Sequence, residues 1–178
     1  MNAPMRSHDS IRNLQQQQQA HDLKSHKDIL CLPVQDRLRH MVLHFAKYVG
    51  RLVNGGTQLG ATSFERTVVD TFIIALATAN ALNVNLGAFC TAPQSEGEQG
   101  SLEAIQTKFS IALAIQTGRM AKACEALDHV ERFNIREELE AGVTAICSYC
   151  LAAASGANIR LPEAVTARWR EIETKDAL

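Results

Sequence analysis

Nothing in this chain alternates apolar and polar residues for more than a few positions, so β-sheet architectures drop out at once. It also has no run of Lys or Arg, and its formal net charge is only −1, which argues against a nucleic acid or a membrane surface bound mainly by electrostatics. No stretch approaches the roughly 20 continuous apolar residues of a membrane span. The first residues, MNAPMRSHDSIRNLQQQQQAHD, carry no apolar signal core. A cytoplasmic location is the resulting expectation. Five cysteines form no disulfide framework and read as reduced and mostly buried. What remains is a chain of 178 residues, 46% of them hydrophobic, which is enough for one helical domain with a real core.

Residues 1 to about 28 are polar, with five consecutive glutamines at Gln15 to Gln19, and read as a flexible tail. Residues 29–178 read as a single helical domain. Val34, Leu38, Met41, Val42, Phe45, Val49 and Leu52 recur at steps of three or four, one face of a helix that opens at Pro33. A glycine-rich loop follows at 54–60, and Ser63 then reads as the N-cap of a helix that is apolar nearly all round and therefore central. The stretch 91–100 reads as a linker. Ser101 opens a long helix, a turn near Phe133-Asn134 leads into another, Gly156 or Asn158 ends that one, and Pro162 starts the last.

These helices come in two similar sets about 75 residues apart. Ala46, Lys47 and Leu52 recur as Ala121, Lys122 and Leu127; Glu65, Val68, Leu76, Ala77, Ala79, Asn83 and Leu86 recur as Glu140, Val143, Leu151, Ala152, Ala154, Asn158 and Leu161. A single helix hairpin cannot bury its apolar stripe alone, and a second copy supplies the other half of a core. The expected fold is thus an all-α bundle of two similar antiparallel hairpins, about 34–88 and 101–175, related by a pseudo-twofold axis. Further self-association into a homo-oligomer is left open.

Several constellations carry possible chemistry. His40-x-x-x-His44 lies one helical turn apart and could chelate a transition metal, with Asp70 or Glu65 as a third ligand, but the spacing often arises by chance, and the pair could instead hydrogen-bond a phosphate or a buried backbone group. Glu125-x-x-Asp128 and Glu137-x-x-Glu140 bracket one turn and could converge on a divalent ion, or be solvated helix ends. Cys147-x-x-Cys150 falls inside a helix with no second pair at ligand spacing and reads as core; Trp169 reads as the residue that docks the last helix.

In layout the two copies resemble the MazG-like all-α nucleoside triphosphate pyrophosphohydrolases: a helix with Glu-x-x-Glu, a turn, a helix opening with Glu-Glu-Leu-x-Asp, then Gly-Ile-Asp-Leu and a closing helix. The residues that carry the likeness run from Phe64 to Asp70 and Ala79 to Leu86 in the first copy, and from Ile135 to Ala141 and Asn158 to Val165 in the second. The resemblance implies that carboxylates on two antiparallel helices hold Mg²⁺ on a nucleotide while water attacks between phosphates. Mg²⁺ requires hard oxygen ligands. At the positions of the first carboxylate pair, however, this chain has His44-x-x-Lys47 and Arg119-x-x-Lys122; Asp70 falls on the family aspartate, with Thr67 rather than glutamate three places before it. Two functional expectations follow. One is hydrolysis of a nucleoside triphosphate to monophosphate and pyrophosphate, with Mg²⁺ on a residual set of Glu65, Asp70, Glu137, Glu138 and Glu140. The alternative is a catalytically inactive binding or regulatory module for a protein partner or an anionic ligand such as a nucleotide or another phosphate-bearing small molecule. In that case His44, Lys47, Arg119 and Lys122 are the ligand-binding candidates.

Overall fold

The computed structural model describes residues 7–55, 60–90, 100–129 and 131–176, and these contain eight helices and no strand. They are α1 (Ser7–Ser25), α2 (Lys27–Leu30), α3 (Val34–Gly55), α4 (Ala61–Leu82), α5 (Leu86–Phe89), α6 (Leu102–Ala126), α7 (Ile135–Gly156) and α8 (Leu161–Asp176). Residues 91–99 of the 91–100 linker and most of the 54–60 loop lie outside the described residues.

Four long helices make the bundle: α3 packs on α4, α6 on α7, α3 on α6 and α4 on α7. Arg51 near the end of α3 meets Asp70 in the first half of α4, and Arg119 late in α6 meets Glu138 at the start of α7. Each sequential pair therefore runs antiparallel. The core holds Phe45, Phe64, Phe72, Leu76, Leu113, Met120, Leu139 and Ile146 with 2% or less of their surface exposed. Phe64 and Phe109 meet edge to face with ring centroids 5.9 Å apart, bringing α4 and α6 together. Cys147 and Cys150 belong to this interior.

α4 is the central helix, with 14 of its 22 residues buried. Its buried hydroxyls are satisfied locally, since Thr67, Thr71 and Thr78 each donate to the carbonyl four residues earlier. Ser63 is not its cap as expected: the helix begins at Ala61 behind Gly60, and Ser63 already lies inside the first turn. Ser101 does cap α6, its hydroxyl accepting from the Ala104 N–H at 3.3 Å. α4 and α7 both close on an asparagine in the left-handed region, Asn83 and Asn158, each with φ of 56°. Behind them Val84 N–H donates to Ala79 at 2.8 Å and Ile159 N–H to Ala154 at 2.8 Å, the same cap 75 residues on.

Gly142 marks the tightest crossing. A Cβ there would lie 2.6 Å from Cγ of Met120, itself fully buried, so α7 approaches α6 only because position 142 has no side chain. By length and mean hydropathy (1.2) α7 alone among the described helices could cross a membrane; here its apolar face is taken up by α4 and α6.

The expectation of a flexible tail over 1–28 does not hold for Ser7–Ser25, which form α1 against α4, α5 and α8. Ile11, Leu14, Gln18, His21 and Asp22 are buried, a helical stripe in which only the first two residues are apolar. Hydrogen bonds do the rest. Gln15 donates to the Val84 carbonyl at 2.6 Å and accepts from the Leu86 N–H at 3.1 Å, and Gln18 accepts from the Trp169 indole at 2.7 Å. Glutamines that look like low complexity thus match the polar groups of the α4–α5 turn and of α8.

Candidate functional site

α1, α2, α3, α4 and α8 enclose a cavity of about 280 Å³. α3 contributes His40, Met41, His44, Lys47, Tyr48 and Arg51, residues that recur on one face of that helix. α4 supplies Asp70, Ile73, Ile74 and Ala77; α8 supplies Arg168 and Ile172; Gln18, Asp22, His26, Ile29 and Leu30 of α1, α2 and the bend between them complete the lining.

Asp70 is nearly buried and held by two guanidiniums, Arg168 Nε at 2.7 Å and Arg51 Nη1 at 3.4 Å. Tyr48 carries Lys47 Nζ and the Arg51 guanidinium 5.0 and 5.3 Å from its ring centre. Lys47 has no carboxylate in ion-pair range among the described residues. Burial, then the neighbouring Arg51, lowers its pKa, against the opposing pull of Asp70. Burial also raises the Tyr48 pKa, so the phenol stays protonated.

His44 Nε2 lies 3.1 Å from His40 Nε2, and its Nδ1 lies 3.1 Å from Lys47 Nζ and 3.4 Å from the Tyr48 hydroxyl. Burial, followed by Lys47 and His40, takes its pKa from 6.5 down to about 4, against the opposing pull of Asp70; His26 adds to the lowering. His44 is therefore neutral at pH 7, accepting at Nδ1 and donating toward His40. Unfolded, it would protonate near 6.5. Between about pH 6.5 and 4 the unfolded chain takes up a proton that the folded chain refuses, so this residue makes stability fall as pH drops through that window. The expected result is a larger loss of Tm from pH 7 to pH 5 in the wild type than in His44→Gln; equal losses would exclude this role.

The residues expected to matter are dispersed. His44, Lys47 and Asp70 meet in the cavity. Glu65 instead borders a separate depression of about 240 Å³ with Phe64, Ile105 and Asn158. Five positions apart on one helix, Glu65 and Asp70 point about 140° apart. Glu138 pairs with Arg119 at 2.8 Å, Glu140 with Arg136 at 2.6 Å, and Glu137 accepts from Asn134. Lys122 bridges Glu125 at 3.1 Å and Glu131 at 3.3 Å, while Asp128 pairs with Arg39. Glu125 and Glu131 thus share Lys122, while Asp128, Glu137, Glu138 and Glu140 each face a different basic or amide side chain. Nor does the cavity fit Mg²⁺: two guanidiniums occupy its α4 carboxylate, and the facing α3 positions carry imidazole and ammonium.

Sequence reading missed Arg51, Arg168, Tyr48, Asp22 and His26. Arg51 was within reach, since His40, His44, Lys47 and Arg51 follow one helical stripe; Arg168, 98 residues from Asp70, was not. Comparison with known proteins returns nothing: no family model matches the chain, and neither does any curated protein or solved structure.

Proposed function

We propose that the chain is a non-hydrolytic binding module, a tandem duplication of a MazG-like helical hairpin whose cavity between α3, α4 and α8 takes a phosphate-bearing small molecule of the nucleotide class. The observation that carries this is the charge around the cavity. Lys47, Arg51 and Arg168 face it from α3 and α8 against Asp70 and Asp22; Asp70 is taken up by the two arginines, and Lys47 has no carboxylate within ion-pair range among the described residues. An ammonium on an apolar-backed wall is a ready site for a phosphate oxygen. Ile73, Ile74, Ala77 and Ile172 offer the apolar side that a base or sugar face would need. The duplication is supported by the 75-residue offset and the matching Asn83 and Asn158 caps.

Thermal-shift titration with inorganic phosphate and with nucleoside mono- and triphosphates, with and without Mg²⁺, tests it. The expected result is a Mg²⁺-independent rise in Tm, with affinity weakened about tenfold or more in Lys47→Met, as expected for one charge-assisted hydrogen bond worth ~1.5–3 kcal/mol. Mg²⁺-dependent pyrophosphate release abolished by Asp70→Asn would instead establish the hydrolase. A protein partner becomes the better reading if no phosphate compound shifts the transition.

A further inference from the structure

Along the wall of the cavity, where α1 runs into α2, three metal-ligand side chains converge. One donor atom from each of His21, Asp22 and His26 lies within 4.8 Å of the other two. His21 is 5% exposed, yet neither of its ring nitrogens makes a hydrogen bond; Nδ1 lies 3.8 Å from Asp22 Oδ1, beyond hydrogen-bond reach. Leaving a buried polar atom unpaired is costly, and such atoms call for a partner that the protein itself does not provide. The surroundings hold the donors in place. Gln18 donates to Asp22 Oδ1 at 2.7 Å, the His26 N–H donates to the Asp22 carbonyl at 2.9 Å, and the Trp169 ring stacks on His21 at 6.0 Å. Hydrogen bonds of this kind to a ligating carboxylate are what orient it.

We propose that His21, Asp22 and His26 form a binding site for a divalent transition metal, Zn²⁺ foremost. Two imidazoles and one carboxylate suit Zn²⁺ and Co²⁺, whereas Mg²⁺ and Ca²⁺ prefer an all-oxygen shell. Asp22 and His26 also line the cavity, so the bound ion borders it and keeps a coordination position for water or for an oxygen of whatever occupies the cavity. The site does not rest on the anion-binding reading, because its three donors are distinct from Lys47, Arg51 and Arg168.

Titration of the untagged full chain with Zn²⁺ by calorimetry, and with Co²⁺ by visible absorption, tests it in phosphate-free buffer. One equivalent of Zn²⁺ is expected to bind and raise Tm, and Co²⁺ is expected to give d–d bands of a four-coordinate nitrogen and oxygen site. His26→Ala, at the more exposed ligand, is expected to weaken binding at least tenfold while the fold persists by circular dichroism, and His21→Gln to do the same. Lys47→Met is expected to bind the metal as the wild type does. The site is excluded if the wild type binds no metal, if His26→Ala and His21→Gln both bind unchanged, or if only His40→Ala and His44→Ala reduce binding.

Discussion

Replacing Gln18 with leucine is expected to lower stability by about 3 kcal/mol, although the new side chain is apolar, fills a similar volume and removes a polar group from the interior. Gln18 is 1% exposed and uses both ends of its amide: the oxygen accepts from the Trp169 indole and the nitrogen donates to Asp22, each at 2.7 Å. Leucine orphans both neighbours. A buried indole N–H left unpaired costs about 1–3 kcal/mol, and a hydrogen bond to a carboxylate contributes about 1.5–3 kcal/mol, partly offset by the gain from burying leucine. Urea unfolding followed by far-ultraviolet circular dichroism reads the loss in every variant, including those without Trp169, the sole tryptophan. In Gln18→Leu/Trp169→Phe the indole donor is gone, so the double variant is expected to be more stable than the sum of the singles allows. A loss below about 1 kcal/mol for Gln18→Leu would show that hydrogen bonding does not hold α1 in place.

Asp70→Asn is expected to have opposite effects on folding and on ligand affinity. The carboxylate draws α3 and α8 onto α4 through Arg51 and Arg168, and it is 8% exposed against 39% and 18% for the two guanidiniums. Removing one partner of a buried pair costs about 3–5 kcal/mol; about 2–4 kcal/mol is expected here, because both arginines reach the cavity and its water. The same change removes a negative charge from a wall carrying Lys47, Arg51 and Arg168, so phosphate or nucleotide affinity is expected to rise severalfold. Chemical denaturation gives the first quantity and calorimetry on the folded variant the second. Weaker phosphate binding with the fold intact would mean that Asp70 contacts the ligand through an ion or a hydrogen bond, and would return the cavity to the hydrolase reading.

The parts of the fold that were legible in sequence are those where burial and apolar character coincide. On α3, Leu38, Met41, Val42, Phe45 and Leu52 follow a helical stripe and are buried together, and α4 is apolar on nearly every side and central. α1 was not legible because hydropathy assigns Gln18, His21 and Asp22 to solvent, while the Trp169 indole, 151 residues from Gln18, bonds Gln18 and stacks on His21, and Gln18 in turn bonds Asp22. The candidate site divides the same way. His44, Lys47 and Asp70 could be named because each matches a position in the MazG-like layout, and they do share a cavity. The cation that changes the meaning of Asp70 comes from Arg168, and a contact across 98 residues leaves no local trace. Glu137, Glu138 and Glu140 look like ligands only while the arginines and asparagine that engage them are unseen, and Glu65 only while its place at a separate depression is.

The absent side chain at Gly142 ties two positions into one inherited unit. A methyl group there displaces the Met120 thioether, and a smaller residue at 120 opens a void that only a larger neighbour fills. Neither position can drift alone without loss. Paired exchange of bulk between 142 and 120, with their sum held nearly constant, is the substitution pattern this contact permits among descendants of the chain.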